Sequence, residues 1–280
     1  MTISTGYTTP RDSIVDRTNW KIGTTEVNIL VLAVKTRHSQ APLMWPVLGK
    51  RGNSNAPERI ALIERYIALF GQQSISMLLT DREFIGADWL NSVLQRDISF
   101  TNRLPEGMLV TTAEGRKHSL ATLLTSRRST KKVIGTLTGL TAPLHIAGKS
   151  PREEQAVIVA TNRPDHQALG TYRKRRAIES LFGNAKTRRL NFEDTRMTDP
   201  AKLHLLTAIV ALAIACAYAV RAARTKLGNN APRRKTRGYL ATSCFRTGFT
   251  SLRNRFRSDK NSALTECENL GKTHRQTRVV

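Results

Sequence analysis

The sequence contains few cysteines and no targeting signal. The three cysteines, Cys216, Cys244 and Cys267, are unevenly spaced and form no CxxC pair. This spacing excludes a disulfide framework and a zinc knuckle, and it fits a reducing cytosol. Residues 1–13 include no basic segment followed by an apolar run, so no signal peptide is predicted.

Acidic residues are also scarce relative to basic ones. The 280 residues include 45 Lys and Arg but only 21 Asp and Glu, which leaves a net charge of +24 at pH 7. This excess is larger than solubility requires and indicates a polyanionic partner, with nucleic acid the leading candidate. The basic residues concentrate in residues 172–189 and 221–280, where we expect contacts with phosphates.

Long hydrophobic runs are absent apart from residues 203–220, whose length approaches the lower limit for a membrane span. Six of the residues in this run are alanine, which makes the segment only weakly hydrophobic. In such a basic chain we predict a buried core helix here and no membrane partner.

Hydrophobic periodicity predicts an α/β fold in the order β-β-β-α-β-α-β. The predicted strands cover residues 13–19, 25–34, 41–47, 74–80 and 98–102, and the predicted helices cover residues 57–70 and 87–96.

Composition divides the chain into four predicted parts. Residues 1–102 form the first part of a core, and residues 103–155, with short alternating stretches, form a β-rich insertion subdomain. Residues 156–227 form the second, mainly helical part of the core, in which Pro164–Asp165 marks a helix start. Residues 228–280 form a basic C-terminal extension.

Two aspartates stand on or directly after predicted strands. Asp16 shares one side of its strand with Ile14 and Thr18. A partly buried carboxylate needs either a basic side chain or a divalent cation to neutralise it, and the sequence leaves both open. Asp81 follows a strand, where α/β folds gather ligand-binding groups, although an aspartate in that position also serves as a turn or capping residue.

Four polar residues recur with helical spacing further along the chain. Tyr172, Arg175, Glu179 and Lys186 fall within a sector about 60° wide on an ideal α-helix. This stripe borders an apolar face that is expected to pack on the sheet. The pattern suits phosphodiester chemistry, in which carboxylates hold divalent ions and basic groups neutralise phosphate. A charged, solvated helix face with internal ion pairs is the alternative.

The four spaced residues resemble the YREK signature, Y-x2-R-x3-E-x6-K, of the insertion-sequence-4 group of bacterial DDE transposases. The stretches VDRTNWKIG around Asp16 and LLTDREFIG around Asp81 resemble the first and second acidic motifs of the same family. The three motifs occur in the family order, and the resemblance covers residues 13–225.

The resemblance implies an RNase H-like mixed sheet flanked by helices, with a β-rich insertion. It implies that Asp16, Asp81 and Glu179 are catalytic and bind two Mg²⁺ or Mn²⁺ ions. Tyr172, Arg175 and Lys186 would contact double-stranded DNA at transposon ends and in the target. The implied reaction is cleavage of transposon-end phosphodiesters followed by strand transfer into target DNA. A homodimer and a bacterial cytoplasmic, nucleoid-associated location are further expectations.

One departure from the family pattern leads to an alternative. Family members carry a helical DNA-binding region ahead of the first aspartate, whereas 15 residues precede Asp16 here, so we expect an N-terminally shortened chain. The alternative is a truncated, non-catalytic DNA-binding remnant, or an inhibitor of a full-length transposase. A basic RNA-associated or ribosome-associated protein is a third class, which predicts that the three carboxylates lie far apart.

Overall fold

The computed structural model describes residues 10–36, 40–124, 129–150, 156–164, 167–188, 190–226 and 243–265. The chain divides into two compact units. The first comprises Met1–Val34 and Pro42–Asn184, and the second comprises Lys35–Ala41 and Ala185–Val280.

The first unit begins with a β-hairpin. Strand β1 (Arg11–Ile22) and strand β2 (Thr25–Lys35) pair side by side. Gly23 adopts a φ of 58° in the two-residue link between them, a conformation that costs glycine little. Almost all of β2 is buried, as its continuous apolar sequence predicts for a strand covered on both faces.

The predicted third strand is divided into two. Strand β3 (Gln40–Met44) lies beside β2. The short strand β4 (Val47–Leu48) also pairs with β2, in the antiparallel direction. Pro46 stands between them and cannot donate a backbone hydrogen bond. Its carbonyl instead accepts a hydrogen bond of 3.0 Å from the backbone N–H of Leu30 in β2.

Helix α1 (Ala56–Phe70) has well-defined ends. Asn55 and Glu58 form a capping box, in which each side chain accepts a hydrogen bond from the other residue's backbone N–H, at 2.9 and 2.8 Å. Gly71 ends the helix with a φ of 76°. The predicted helix over residues 57–70 is therefore confirmed.

The centre of the sheet consists of parallel strands. Strand β5 (Ile75–Thr80) pairs parallel with both β1 and strand β6 (Phe100–Leu104). Helix α2 (Ala87–Gln95) connects β5 to β6. The strand order β3-β2-β1-β5-β6, together with a hairpin followed by parallel crossovers, makes the fold RNase H-like, as predicted.

The predicted insertion contributes strands to this same sheet. Residues 103–155 contain β7 (Leu109–Thr112), β8 (Lys117–Ser119), α3 (Leu120–Leu124), β9 (Lys131–Leu137) and β10 (Leu144–Lys149). Strand β11 (Val157–Thr161) connects them to the core because it pairs antiparallel with both β6 and β10. The sheet continues in the order β6-β11-β10-β9-β7-β8.

Helices follow β11. Helix α4 (Ala168–Tyr172) and helix α5 (Arg176–Gly183) belong to the first unit. The predicted helix start at Pro164–Asp165 includes Asp165, which lies outside the described residues, and α4 begins at Ala168.

The second unit contains helix α6 (Pro200–Lys226) and helix α7 (Cys244–Ser258). The two pack closely, because a Cβ at Gly248 would collide with the carbonyl of Ala217. The rings of Tyr218 and Phe245 lie 6.0 Å apart. Helix α7 falls within the predicted basic extension, of which residues 228–242 and 266–280 lie outside the described residues.

Helix α6 differs in part from the buried core helix that we predicted for residues 203–220. Leu203, Ile214 and Ala217 are buried, but large apolar side chains at Leu205, Ile209 and Leu212 are exposed. The buried prediction is correct for one face only, because hydropathy does not reveal which side of an all-apolar helix has a neighbour. Among the described residues, Pro200–Arg224 is long and apolar enough to cross a membrane by length and composition alone.

The packing of α3 on β10 within the predicted insertion can be tested at Gly148. A Cβ at this position would lie 2.6 Å from Leu124 Cβ and 2.9 Å from the Leu124 carbonyl oxygen. We expect Gly148→Ala to lower the free energy of unfolding by about 1–3 kcal/mol. The measurement is urea unfolding followed by tryptophan fluorescence, since all three tryptophans belong to the first unit.

Gly107→Ala is the matched control, because a Cβ there meets no atom within 4 Å. Equal stability of the two variants would contradict the tight packing of α3 on β10.

Candidate active site

The pairing of β1 with β5 places two carboxylates next to each other. Val15 in β1 is in register with Thr80 in β5, and the next residue of each strand is an aspartate, Asp16 and Asp81. Since the strands run parallel, both aspartates occur at the same level of the sheet.

Asp16 is a buried carboxylate, with 8% of its surface exposed. Its Oδ1 accepts a hydrogen bond of 2.8 Å from the backbone N–H of Arg17. Burial raises the pKa of Asp16 from 3.8 to about 6, although the charge of Arg175 and the Arg17 hydrogen bond act in the opposite direction. The negative charges of Glu83 and Asp81 make smaller contributions to this increase in pKa.

The segment that carries the YREK residues changes its helical pitch three times. Helix α4 is followed by a 3-10 turn (Arg173–Arg175), then by α5 and a π-helical turn (Asn184–Arg188). The prediction that the four YREK residues lie on one regular α-helix is therefore wrong in detail. A 3-10 turn advances about 120° per residue and a π turn less than an α-helix does, so the ideal angles do not apply across the segment.

Arg175 joins all three predicted catalytic carboxylates through one guanidinium group. Its Nη2 lies 2.8 Å from Asp16 Oδ2 and 2.9 Å from Asp81 Oδ2. Its Nη1 lies 2.6 Å from Glu179 Oε1. Burial disfavours the charged guanidinium, but the surrounding acidic groups outweigh that effect and raise the pKa of Arg175. The basic side chain that the sequence left as one way to neutralise Asp16 is thus Arg175.

Tyr172 completes the bonding of the second aspartate. Its hydroxyl donates a hydrogen bond of 2.9 Å to Asp81 Oδ1, which also accepts one of 2.7 Å from the backbone N–H of Arg82. Burial raises the pKa of the Tyr172 hydroxyl, and the negative charge of Asp81 adds to that effect, while Arg175 opposes it. Tyr172 therefore acts here as a neutral hydrogen-bond donor.

The exposure of the three carboxylates increases in one direction. The Asp16 side chain is 12% exposed, Asp81 23% and Glu179 57%. The cluster therefore opens to solvent at Glu179, on α5, and closes at Asp16, on β1. Solvent therefore reaches the cluster from the Glu179 side.

Lys186 belongs to the second unit. It lies on the π-helical turn, and its Nζ forms an ion pair of 2.7 Å with Glu193 Oε1. Five of the six predicted site residues thus contact one another within the first unit, and Lys186 is described within the other unit.

Sequence reasoning did not identify the group of polar residues beside the aspartates. The Arg17 guanidinium donates to Asn28 Oδ1 at 3.2 Å and to Asn53 Oδ1 at 3.0 Å, and it pairs with Glu83 Oε2 at 3.4 Å. Asn28, fully buried, donates to the carbonyls of Lys50 and Gly52. These contacts attach the loop before α1 to both aspartate motifs. The sequence feature that could have revealed this group is the position of Arg17 directly after Asp16 and of Glu83 two residues after Asp81.

The chemistry of the cluster fits divalent cations. Carboxylate oxygens are the ligands that Mg²⁺ and Mn²⁺ prefer, and the shared guanidinium shows that one cationic group reaches all three carboxylates. Within the described ranges, no group of three or more His, Cys, Asp or Glu residues is arranged to hold a metal ion directly. The cation between Asp16, Asp81 and Glu179 in this structure is Arg175.

Comparison with known proteins assigns the chain to a family. The family model described as "Transposase DDE domain" matches residues 7–216, most of the chain, so the protein belongs to the DDE transposase family. No curated protein matches the chain.

Among solved structures, the cryo-EM structure of a piggyBac transposase synaptic complex with hairpin DNA is similar over 94% of this chain, with 13% sequence identity and a TM-score of 0.46. The match covers 58% of that transposase chain, so the present chain spans less than two thirds of its length.

The buried state of Asp16 has a measurable pH dependence. A carboxyl group whose pKa is higher in the folded chain than in the unfolded chain stabilises the fold at low pH, and this contribution disappears as the pH rises through the folded-state pKa. We therefore expect the unfolding free energy of the wild type, relative to Asp16→Asn, to decrease between pH 3.8 and about 6. The decrease is up to about 3 kcal/mol.

Urea unfolding in EDTA at several pH values measures this difference. A difference that stays constant, or increases with pH, would contradict the raised pKa.

Proposed function

We propose that this chain cleaves DNA phosphodiesters at transposon ends and transfers the freed strand into target DNA. The proposal rests on the observation that Asp16, Asp81 and Glu179 all contact the guanidinium of Arg175. The alternative of an RNA-associated protein requires that the three carboxylates lie far apart, and it therefore loses its support. We further propose that the chain falls in the YREK group.

Asp16, Asp81 and Glu179 have the role of metal ligands in this proposal. Two Mg²⁺ or Mn²⁺ ions, when bound, would supply Lewis-acid stabilisation of the attacking and leaving oxygens. The backbone N–H groups of Arg17 and Arg82 hold the aspartates in place through Oδ1 of each. These bonds orient the carboxylates at low entropic cost before a substrate arrives.

The remaining three residues of the pattern have roles toward DNA. Tyr172 orients Asp81 through its hydroxyl, while its ring belongs to a buried apolar cluster with Val159 and Ala168. Arg175 and Lys186 supply positive charge toward phosphate oxygens. Tyr172 is not assigned as the nucleophile, because its hydroxyl donates to Asp81 and two-metal chemistry requires no covalent protein intermediate.

The proposed reaction has two chemical steps. Water attacks the phosphorus at the transposon end, and the bond to the 3′-oxygen breaks, which leaves a 3′-hydroxyl and a 5′-phosphate. That 3′-hydroxyl then attacks a second phosphodiester and displaces its 3′-oxygen. Neither step needs a covalent bond to the protein.

The net charge of +24 supports DNA as the partner, since basic residues that neutralise phosphates release counterions. Helix α7 adds exposed arginines on the second unit, namely Arg246, Arg253, Arg255 and Arg257. A homodimer and a nucleoid-associated location in bacterial cytoplasm belong to the same proposal.

The first prediction from this function concerns nicking. On a labelled linear duplex in Mg²⁺, we expect the wild type to nick one strand and Glu179→Gln to lose about 100-fold or more of that rate. The reason is that the amide cannot supply the anionic ligand, while the fold is kept because Glu179 is largely exposed. Denaturing gel electrophoresis measures the product.

Glu106→Gln is the control, since Glu106 is an exposed acid on the same unit. Duplex binding without nicking by the wild type would instead favour the non-catalytic DNA-binding alternative. Equal nicking by wild type and Glu179→Gln would exclude Glu179 from the active site.

The second prediction concerns Lys186. If its ammonium group contacts a phosphate, Lys186→Ala should reduce the slope of log binding constant against log salt concentration by about 1. Fluorescence anisotropy with a labelled duplex at several salt concentrations measures the slope. Lys131→Ala is the control, because it removes an exposed charge from β9. Equal slopes for both variants would show that Lys186 does not contact DNA.

A further inference from the structure

Arg175 occupies the oxygens that a metal ion would need. Its Nη2 contacts Oδ2 of both Asp16 and Asp81, and its Nη1 contacts Oε1 of Glu179. The other oxygen of each aspartate is already bonded to a backbone N–H. A divalent ion that bridges the two aspartates therefore competes with the guanidinium for the same Oδ2 atoms.

The bonding of Arg175 in this position is incomplete. Its side chain is 10% exposed, and its Nε is buried without a hydrogen-bond partner among the described residues. A buried N–H group without a partner is costly, and this cost is removed when the side chain turns toward water. The exposed Glu179 marks the side on which the guanidinium has access to solvent.

Asp16 and Asp81 keep other partners when Arg175 leaves. Asp16 retains the backbone N–H of Arg17, and Asp81 retains the N–H of Arg82 and the hydroxyl of Tyr172. The carboxylates are thus held in place while their charge is uncompensated. This is the arrangement needed for one cation to replace another.

We propose that Arg175 is a resident cation that divalent metal displaces, so that metal entry and release of the guanidinium are a single exchange. The inference rests on the proposed function, because it requires these carboxylates to bind metal. It adds that Arg175 neutralises the three carboxylates when no metal is bound and lowers the affinity of the site for metal ions. The released guanidinium is then available for the phosphate contact assigned to it above.

Metal affinity tests the exchange without any measurement of activity. In calorimetric titration, we expect Arg175→Gln to bind Mn²⁺ about tenfold or more tightly than the wild type does. The reason is that the guanidinium no longer competes for the carboxylates, so a larger fraction of the protein is able to bind metal. Lys174→Gln is the matched control. It removes a neighbouring positive charge that pairs with Asp12 and not with the cluster, and its affinity should stay within about twofold of the wild type.

Asp81→Asn separates failure of this inference from failure of the proposed function. If neither the wild type nor Arg175→Gln binds Mn²⁺ better than Asp81→Asn does, the carboxylates are not a metal site and both proposals fail. If the wild type and Arg175→Gln bind Mn²⁺ with equal affinity, above that of Asp81→Asn, the function stands and the exchange is overturned. The same holds if Lys174→Gln tightens binding as much as Arg175→Gln does, since the effect is then one of charge alone.

The wild-type chain gives a second readout that does not depend on folding of Arg175→Gln. The Nε–H signal of Arg175 can be followed by NMR and assigned by its absence in Arg175→Lys. We expect this proton to exchange with water faster in saturating Mg²⁺ than in EDTA, since the guanidinium leaves its buried position. Equal protection in both conditions would overturn the exchange.

Discussion

The parallel pairing of β1 with β5 is the constraint on which the site depends. Val15 is aligned with Thr80, so the residues that follow them, Asp16 and Asp81, lie at the same level of the sheet. Two like charges at neighbouring positions repel each other, and burial of Asp16 increases the cost. A cation is therefore required wherever this pairing forms, and the rest of the site supplies one.

The helical segment after β11 supplies both the cation and the third carboxylate. Ile178 and Leu181 are buried, which fixes α5 in the first unit through its apolar face. Arg175, on the 3-10 turn that precedes α5, and Glu179, on α5, then lie four residues apart, a spacing that suits an ion pair. Hydrophobic packing thus decides the position of the charged groups, because ion pairs alone are too weakly directed to orient a helix.

The few acidic residues and the many basic ones have complementary roles. A basic surface attracts a polyanion, whereas an unneutralised cluster of carboxylates repels phosphate. In the proposed function, the cluster can therefore approach DNA only together with cations, whether these are metal ions or basic side chains. The scarcity of acids elsewhere in the chain leaves little that would oppose DNA binding.

The sequence alone predicted the α/β fold, most strand and helix positions, and the five polar residues that the first unit brings together, whereas the role of Lys186 stays a prediction. It did so because hydrophobic alternation, helix capping and motif spacing are local properties, as the capping box at Asn55 illustrates. Only the tertiary structure showed that Arg175 pairs with Asp16, 159 positions away in the chain. It likewise showed that β7–β10 extend the core sheet and that α6 is covered on one face. Such contacts depend on which segments meet in space, and neither periodicity nor composition contains that information.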